Sequence, residues 1–215
     1  MLSRHSLLHL SAAGWASART QVDVIHHAAI DSWCTADWPV IARRHEAGCP
    51  DDQVCVGLAL PPDPVSGVKH RLPLRIASDQ VMRTRLPLSL AEVLPVLPHA
   101  WQAALPAASV PLAVFGSAAL QSITGLPYLR GSSDLDILLQ PATLAALTDG
   151  LQLLAQVAAS LPLDGEIVFP SGDAVAWKEW QAASGQGAAM RVLAKRNDGV
   201  ALVRIDALLA GLAAA

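Results

Sequence analysis

From residue 110 onward the apolar and polar positions mark out one element after another. Pro111-Leu112-Ala113-Val114-Phe115 reads as a short apolar strand that stops at Gly116-Ser117. A short helix over 118–123 is expected next, closed by Thr124-Gly125-Leu126-Pro127. In Ser133-Asp134-Leu135-Asp136-Ile137-Leu138-Leu139, charged and apolar residues alternate before the run turns fully apolar, as in a strand emerging at the edge of a site. Pro141 suits the first turn of a helix. Leu144, Leu147, Leu151, Leu154 and Val157 then recur at spacings of three and four, the stripe of an amphipathic helix. Leu163 to Phe169 and Ala174 to Trp177 bracket the turn sequence Pro170-Ser171-Gly172-Asp173 and read as paired strands. Val192 to Lys195 and Val200 to Ile205 flank Asn197-Asp198-Gly199, a second hairpin signal.

The first 80 residues have a different texture. Val54-Cys55-Val56-Gly57-Leu58 is a β-type run, and Arg71 to Ile76 alternates as a strand despite Pro73. Leu60-Pro61-Pro62-Asp63-Pro64 with Gly67 is an exposed turn. A helix is expected from Ser89, broken by the segment Pro95 to Pro98. The reading is an α+β (mixed α/β) protein. Residues 1–80 form a smaller N-terminal α+β accessory domain, and 81–215 form a catalytic domain of mixed sheet with packed helices.

With 215 residues, 53% hydrophobic and 15% charged, burying a core is easy. The formal net charge of −3 argues against a nucleic-acid partner, which would call for a basic excess. Pro, Gly, Asp or Arg interrupts every stretch before the roughly 18–20 apolar residues of a membrane span. His5 and His9 spoil an otherwise faint imitation of a secretory signal. A cytoplasmic protein is expected. Cys34, Cys49 and Cys55 are odd in number and lack CxxC spacing, so they read as free thiols rather than a disulfide framework or zinc site. His26-His27 suggests metal only superficially, because adjacent side chains diverge on a helix or strand.

Candidate chemistry lies in Gly116-Ser117, followed after sixteen residues by Asp134-Leu135-Asp136. Residues i and i+2 of a strand share a face, so the two carboxylates repel one another in one patch of space. A divalent cation relieves that repulsion, and magnesium prefers a few carboxylates, waters and phosphate oxygens. Asp134 and Asp136 are therefore the candidate catalytic and metal-binding pair, with Mg2+ as cofactor. The Gly116-Ser117 turn offers backbone N–H groups at a helix N-terminus to a polyphosphate. A third carboxylate is expected on the strand after the long helix. Asp164 and Glu166 have the same parity; Glu166 is preferred because Ile167 and Val168 continue the strand beyond it, and Asp206 is the third choice. Ser117 and Ser133 are candidate phosphate contacts, although Ser132 and Ser133 equally suit shaping the loop. Arg130, Lys178 and Lys195 are cations able to neutralise a triphosphate, with Lys178 preferred.

Val114-Phe115-Gly116-Ser117 and Asp134-Leu135-Asp136-Ile137 resemble the signature of the DNA polymerase β-like nucleotidyltransferase superfamily. The run from Gly116-Ser117-Ala118-Ala119-Leu120 through Thr124-Gly125-Leu126-Pro127-Tyr128-Leu129 to Asp136 narrows the resemblance. It is similar to the malonate decarboxylase holo-acyl-carrier-protein synthases, or phosphoribosyl-dephospho-CoA transferases. Arg4-His5, Trp38-Pro39-Val40 with Arg43-Arg44, Asp164-Gly165-Glu166 and Ala174 to Glu179 extend it over nearly the whole chain. The resemblance implies a nucleotidyltransferase-type sheet and transfer of 2′-(5″-phosphoribosyl)-3′-dephospho-CoA from its triphosphate precursor. The acceptor it implies is a serine of the apo acyl-carrier subunit of malonate decarboxylase, with pyrophosphate leaving and Asp134 and Asp136 as catalytic aspartates. Arg43-Arg44 would then suit the carrier or the CoA-like diphosphate as well as a plain basic turn. Rival readings are adenylyl transfer to a small molecule or protein by the same carboxylates, and a nucleotide-fold binding module without catalysis.

Overall fold

The computed structural model describes residues 2–105, 111–187 and 189–213, and the chain divides into two compact units. The first comprises the chain up to Pro87 with Leu126–Tyr128 and Asn197–Gly199; the second comprises the remainder.

The first unit contains β1 (Leu7–Leu10), α1 (Ala12–Thr20), α2 (His27–Thr35), β2 (Val40–Ala42), β3 (Gln53–Ala59), β4 (Arg71–Ala77) and β5 (Val81–Arg85). The five strands form an antiparallel sheet in the order β4-β3-β2-β1-β5. Alternation along β4 is complete: Leu72, Leu74 and Ile76 are buried while Arg71, Pro73 and Arg75 are exposed. Val56 and Leu58 of β3 join the same core, with Trp15 and Ala18 of α1 and Ile30 and Trp33 of α2. The Ser11 hydroxyl accepts from the Gly14 N–H and starts α1. Tyr128 is buried in this unit and donates its hydroxyl to the Ala59 carbonyl at 2.6 Å; burial holds that phenol well above its ordinary pKa. His26 stands against the His70 ring at 5.3 Å between centroids.

The second unit contains β6 (Leu88–Ser89), α3 (Leu90–Val93), α4 (His99–Ala104), β7 (Leu112–Phe115), α5 (Gly116–Thr124), β8 (Leu135–Leu139), α6 (Leu144–Ala158), β9 (Leu163–Val168), β10 (Ala174–Ala176), α7 (Trp177–Ser184), β11 (Arg191–Lys195), β12 (Val200–Arg204) and α8 (Ile205–Leu209). Its seven strands run in the order β12-β11-β10-β9-β8-β7-β6. Among the described strands of this sheet, β8 and β9 alone pair in parallel, because α6 connects them. The α+β expectation is therefore met.

Several elements differ from expectation in detail. The helix after β7 begins at Gly116, two residues earlier than the pattern suggested. Pro141 precedes α6 rather than opening it, since Thr143 is the N-cap and accepts from the Ala146 N–H. The buried stripe of α6 is Leu147, Gly150, Leu154 and Val157, while Leu144 is exposed. Gly150 belongs to the stripe because a Cβ there would lie 2.6 Å from Leu139 methyls. The strand expected to end at Trp177 turns into a helix at that residue.

Parity divides the second sheet into two faces. Leu135, Ile137, Leu139, Leu163, Ile167 and Phe169 point to one face and are buried. The contacts of Gly150 with Leu139, and of Phe169 with Trp180 at 4.9 Å, place α6 and α7 on that face. Asp136, Asp164, Glu166 and Lys195 share the other.

Candidate active site

Strand order and direction bring four segments of the second unit to one end of its sheet. β7 delivers Gly116 from its C-terminal end, and the antiparallel β8 begins at Leu135 with Asp136 next; Asp134, expected on the strand, instead lies one residue before it. β9 runs parallel to β8, so Asp164 enters at the same end. β10 runs back and hands the chain to Trp177 and Lys178 at the start of α7.

Gly116 shows how tightly this end is built. Its φ is +68°, in the left-handed region that glycine tolerates without penalty. A Cβ on Gly116 would lie 2.0 Å from Asp136 Oδ2 and 2.8 Å from its carboxyl carbon. The Asp136 carboxylate thus lies against the glycine, at the positive end of the nine-residue helix α5. The glycine and the second aspartate of the motif form one feature.

Register sets the order of acids across the sheet. Phe115, Asp136 and Asp164 lie opposite one another in a row. Neighbouring strands are about 4.8 Å apart, so Asp164 is the strand-to-strand neighbour of Asp136. Glu166 pairs instead with Leu138, about 7 Å further along the sheet. Asp134 and Asp164 are exposed and Asp136 half-buried. Glu166 is buried, and its Oε1 accepts from Lys195 Nζ at 2.7 Å. Asp206 lies in the first turn of α8, beyond β12, four strands from β8, and is paired with Arg204. That pairing holds its carboxyl below the usual range.

The other expected contacts separate by position. Ser117 follows Gly116 in the first turn of α5. Ser133 is buried; its Oγ accepts from the Arg130 N–H at 3.0 Å, and its own N–H donates to the Arg130 carbonyl at 3.0 Å. That hydroxyl shapes the turn that presents Asp134. Lys178 Nζ lies 3.9 Å from Asp164 Oδ1 and 5.9 Å from the Trp177 ring centroid, so Lys178 belongs to this end of the sheet. Lys195 is committed to Glu166 one row deeper. Sequence parity treated Asp164 and Glu166 alike; only the register of β8 against β9 separates them.

The acids at this end of the sheet offer carboxylate oxygens, which suit a hard cation such as Mg2+, although their ligand atoms do not converge into a preformed cluster. Asp136 at the start of β8, Asp134 just before that strand, and Asp164 opposite Asp136 on the adjacent strand would supply them.

Comparison with known proteins agrees with both units. The model described as "Phosphoribosyl-dephospho-CoA transferase MdcG C-terminal domain" matches residues 78–206, and that described as "Phosphoribosyl-dephospho-CoA transferase MdcG N-terminal domain" matches residues 3–87. A phosphoribosyl-dephospho-CoA transferase of Xanthomonas campestris pv. campestris is 34% identical, the alignment covering 97% of each chain. The protein of that name from Bradyrhizobium diazoefficiens is 36% identical, over 97% of this chain and 92% of its own. The one from Xanthomonas axonopodis pv. citri is 31% identical over 100% of both chains. No solved structure matches. The family resemblance read from the residues is thereby established: this chain belongs to the phosphoribosyl-dephospho-CoA transferases.

Proposed function

We propose that the chain transfers 2′-(5″-phosphoribosyl)-3′-dephospho-CoA from its triphosphate precursor to a serine of the apo acyl-carrier subunit of malonate decarboxylase. The serine oxygen bonds to the phosphorus next to the ribose, the bond from that phosphorus to the pyrophosphate oxygen breaks, and pyrophosphate leaves. The serine proton passes to a carboxylate of the site or to solvent. The observation that carries this reading is the contact of the Gly116 backbone with Asp136, beside Asp134 and Asp164.

Each group has a distinct task. Asp134, Asp136 and Asp164 would hold Mg2+, with Glu166 buttressing the sheet one row deeper through Lys195. Bound magnesium would supply charge neutralisation at the attacking and departing oxygens. Gly116 leaves room for the Asp136 carboxylate and, with Ser117, presents the start of α5 to the phosphates. Lys178 offers a cation to the leaving pyrophosphate while its neighbour Asp164 keeps it in place. The geometry supports Asp164 above Glu166 as third carboxylate, because Asp164 stands in the row of Asp136. The first unit carries no carboxylate of this set, and its proposed task is to accompany the carrier.

The direct test incubates apo-carrier, triphosphoribosyl-dephospho-CoA and Mg2+ with the protein and reads the intact mass of the carrier. A gain of one phosphoribosyl-dephospho-CoA group is expected. No gain with this donor, together with AMP transfer from ATP, would replace this reading with adenylyl transfer. Full modification by an Asp134→Ala, Asp136→Ala double variant would place the chemistry elsewhere.

A further inference from the structure

We propose that His45, Cys49 and Cys55 form a zinc site that fastens the β2–β3 connection onto the first sheet. Their candidate ligand atoms, one from each residue, all lie within 4.8 Å of one another. Two thiols and an imidazole are the donor set of zinc, and they are poor ligands for magnesium or calcium.

The way these side chains are buried is the strongest reason. On β3, Val56 and Leu58 enter the hydrophobic core, so Cys55 points to the opposite face, beside Arg75 and Gly57. The neighbours of Cys55 on β4, Pro73 and Arg75, are exposed, yet Cys55 is only 4% exposed. His45 and Cys49 of the connection Arg43-Arg44-His45-Glu46-Ala47-Gly48-Cys49-Pro50-Asp51-Asp52 come up against it. That segment has almost no apolar surface with which to seal a core, and neither Cys49 nor Cys55 belongs to the hydrophobic cluster of this unit. Two small thiols give a ten-residue polar connection little apolar surface to close over, and a bound ion would add the attraction that surface lacks.

The connection is also held in a form that suits coordination. The His45 N–H donates to the Asn197 carbonyl at 2.6 Å, and the Cys49 N–H donates to the Glu46 carbonyl at 3.0 Å. His45 Nε2 lies 3.0 Å from the Cys49 carbonyl oxygen. Glu46 is occupied by Arg43 and by Arg75, the latter at 3.7 Å, which leaves a solvent molecule as the fourth ligand. In a tetrahedral zinc site, ligand atoms stand about 3.8 Å apart, given Zn–S bonds of about 2.3 Å. The cluster would need to contract by no more than about 1 Å. Two thiolates balance the charge of the ion, so the flanking Arg43–Glu46–Arg75 group is not disturbed.

The test uses the full-length chain, purified under reductant, equilibrated with Zn2+ and desalted. One zinc per chain is expected by elemental analysis, and Co2+ in its place should show a thiolate-to-cobalt charge-transfer band. Cys49→Ser, Cys55→Ser and His45→Ala should each lower zinc content at least tenfold, whereas Cys34→Ser, at an exposed cysteine, should retain it. Far-UV circular dichroism identifies variants that remain folded. If a cysteine variant unfolds, the cobalt spectrum of wild type decides, with His45→Ala as the second arm. Zinc-free wild type after this treatment, a cobalt spectrum without a thiolate band, or full zinc in a folded Cys49→Ser, Cys55→Ser protein would overturn the proposal. The catalytic reading stands or falls separately, because transfer is assayed on the carrier and zinc on the enzyme.

Discussion

The two units each gather chemically active side chains, but by different means. In the second, strand register does the work: Asp136 and Asp164 stand opposite one another on the parallel strands β8 and β9, with Asp134 one residue before β8. In the first, a connection folds back over a sheet and brings together His45, Cys49 and Cys55 from the loop and the strand after it. A site built on strand periodicity is readable from spacing; a site built by a loop closing on a sheet face is not. The difference is chemical as well: hard oxygen donors in one unit, sulfur and nitrogen in the other.

The sharpest way to break the comparison is to remove the acids. Asp134→Ala or Asp136→Ala should lower carrier modification about a thousandfold or more, several kcal/mol in the barrier, while zinc content stays at one per chain. Loss of zinc in either variant would show that the two centres are not independent. Gly116→Ala comes next. Its new methyl would meet the Asp136 carboxylate, and the φ of +68° would cost a further ~1–2 kcal/mol. Transfer should fall about a hundredfold with a measurable drop in melting temperature; wild-type activity would mean that the carboxylate need not lie against the turn.

Smaller effects sharpen the assignment within the acid row. Asp164→Asn should lower kcat about ten- to a hundredfold with the melting temperature unchanged. Glu166→Gln should instead destabilise by about 1–2 kcal/mol, read by denaturant titration, because it weakens a bond from a half-exposed lysine to a buried carboxylate. The opposite pattern would restore Glu166 as third carboxylate. Lys178→Ala should raise KM for the triphosphate about three- to tenfold, with the effect shrinking at high salt.

The sequence reading reached the second unit with most of its elements in order. Its β9–β10 hairpin is closed by a local turn at Gly172, and α6 carries both a threonine cap and an apolar stripe. α7 escaped because it starts straight from a strand at Trp177 with no side-chain cap at Ala176. α1 escaped because its alanine-rich stretch offers little periodicity, although Ser11 was a legible cap. At the candidate site the glycine turn before α5 was legible; that Asp134 precedes β8, and that Asp164 rather than Glu166 stands opposite Asp136, was not, since both depend on where β8 starts and how it slides past β9. The cysteines are free thiols, as their number and spacing suggest; the approach of Cys49 and His45 to Cys55 was not legible, since it depends on how the 43–52 connection folds.

The central claim, that Asp134 and Asp136 hold the cation which the reaction uses, is tested most directly by Mn2+ titration followed by electron paramagnetic resonance in the presence of pyrophosphate. Saturable binding to wild type, weakened at least tenfold in Asp134→Asn and in Asp136→Asn with folding retained, is the predicted result. Equal Mn2+ affinity in wild type and in both variants would contradict it.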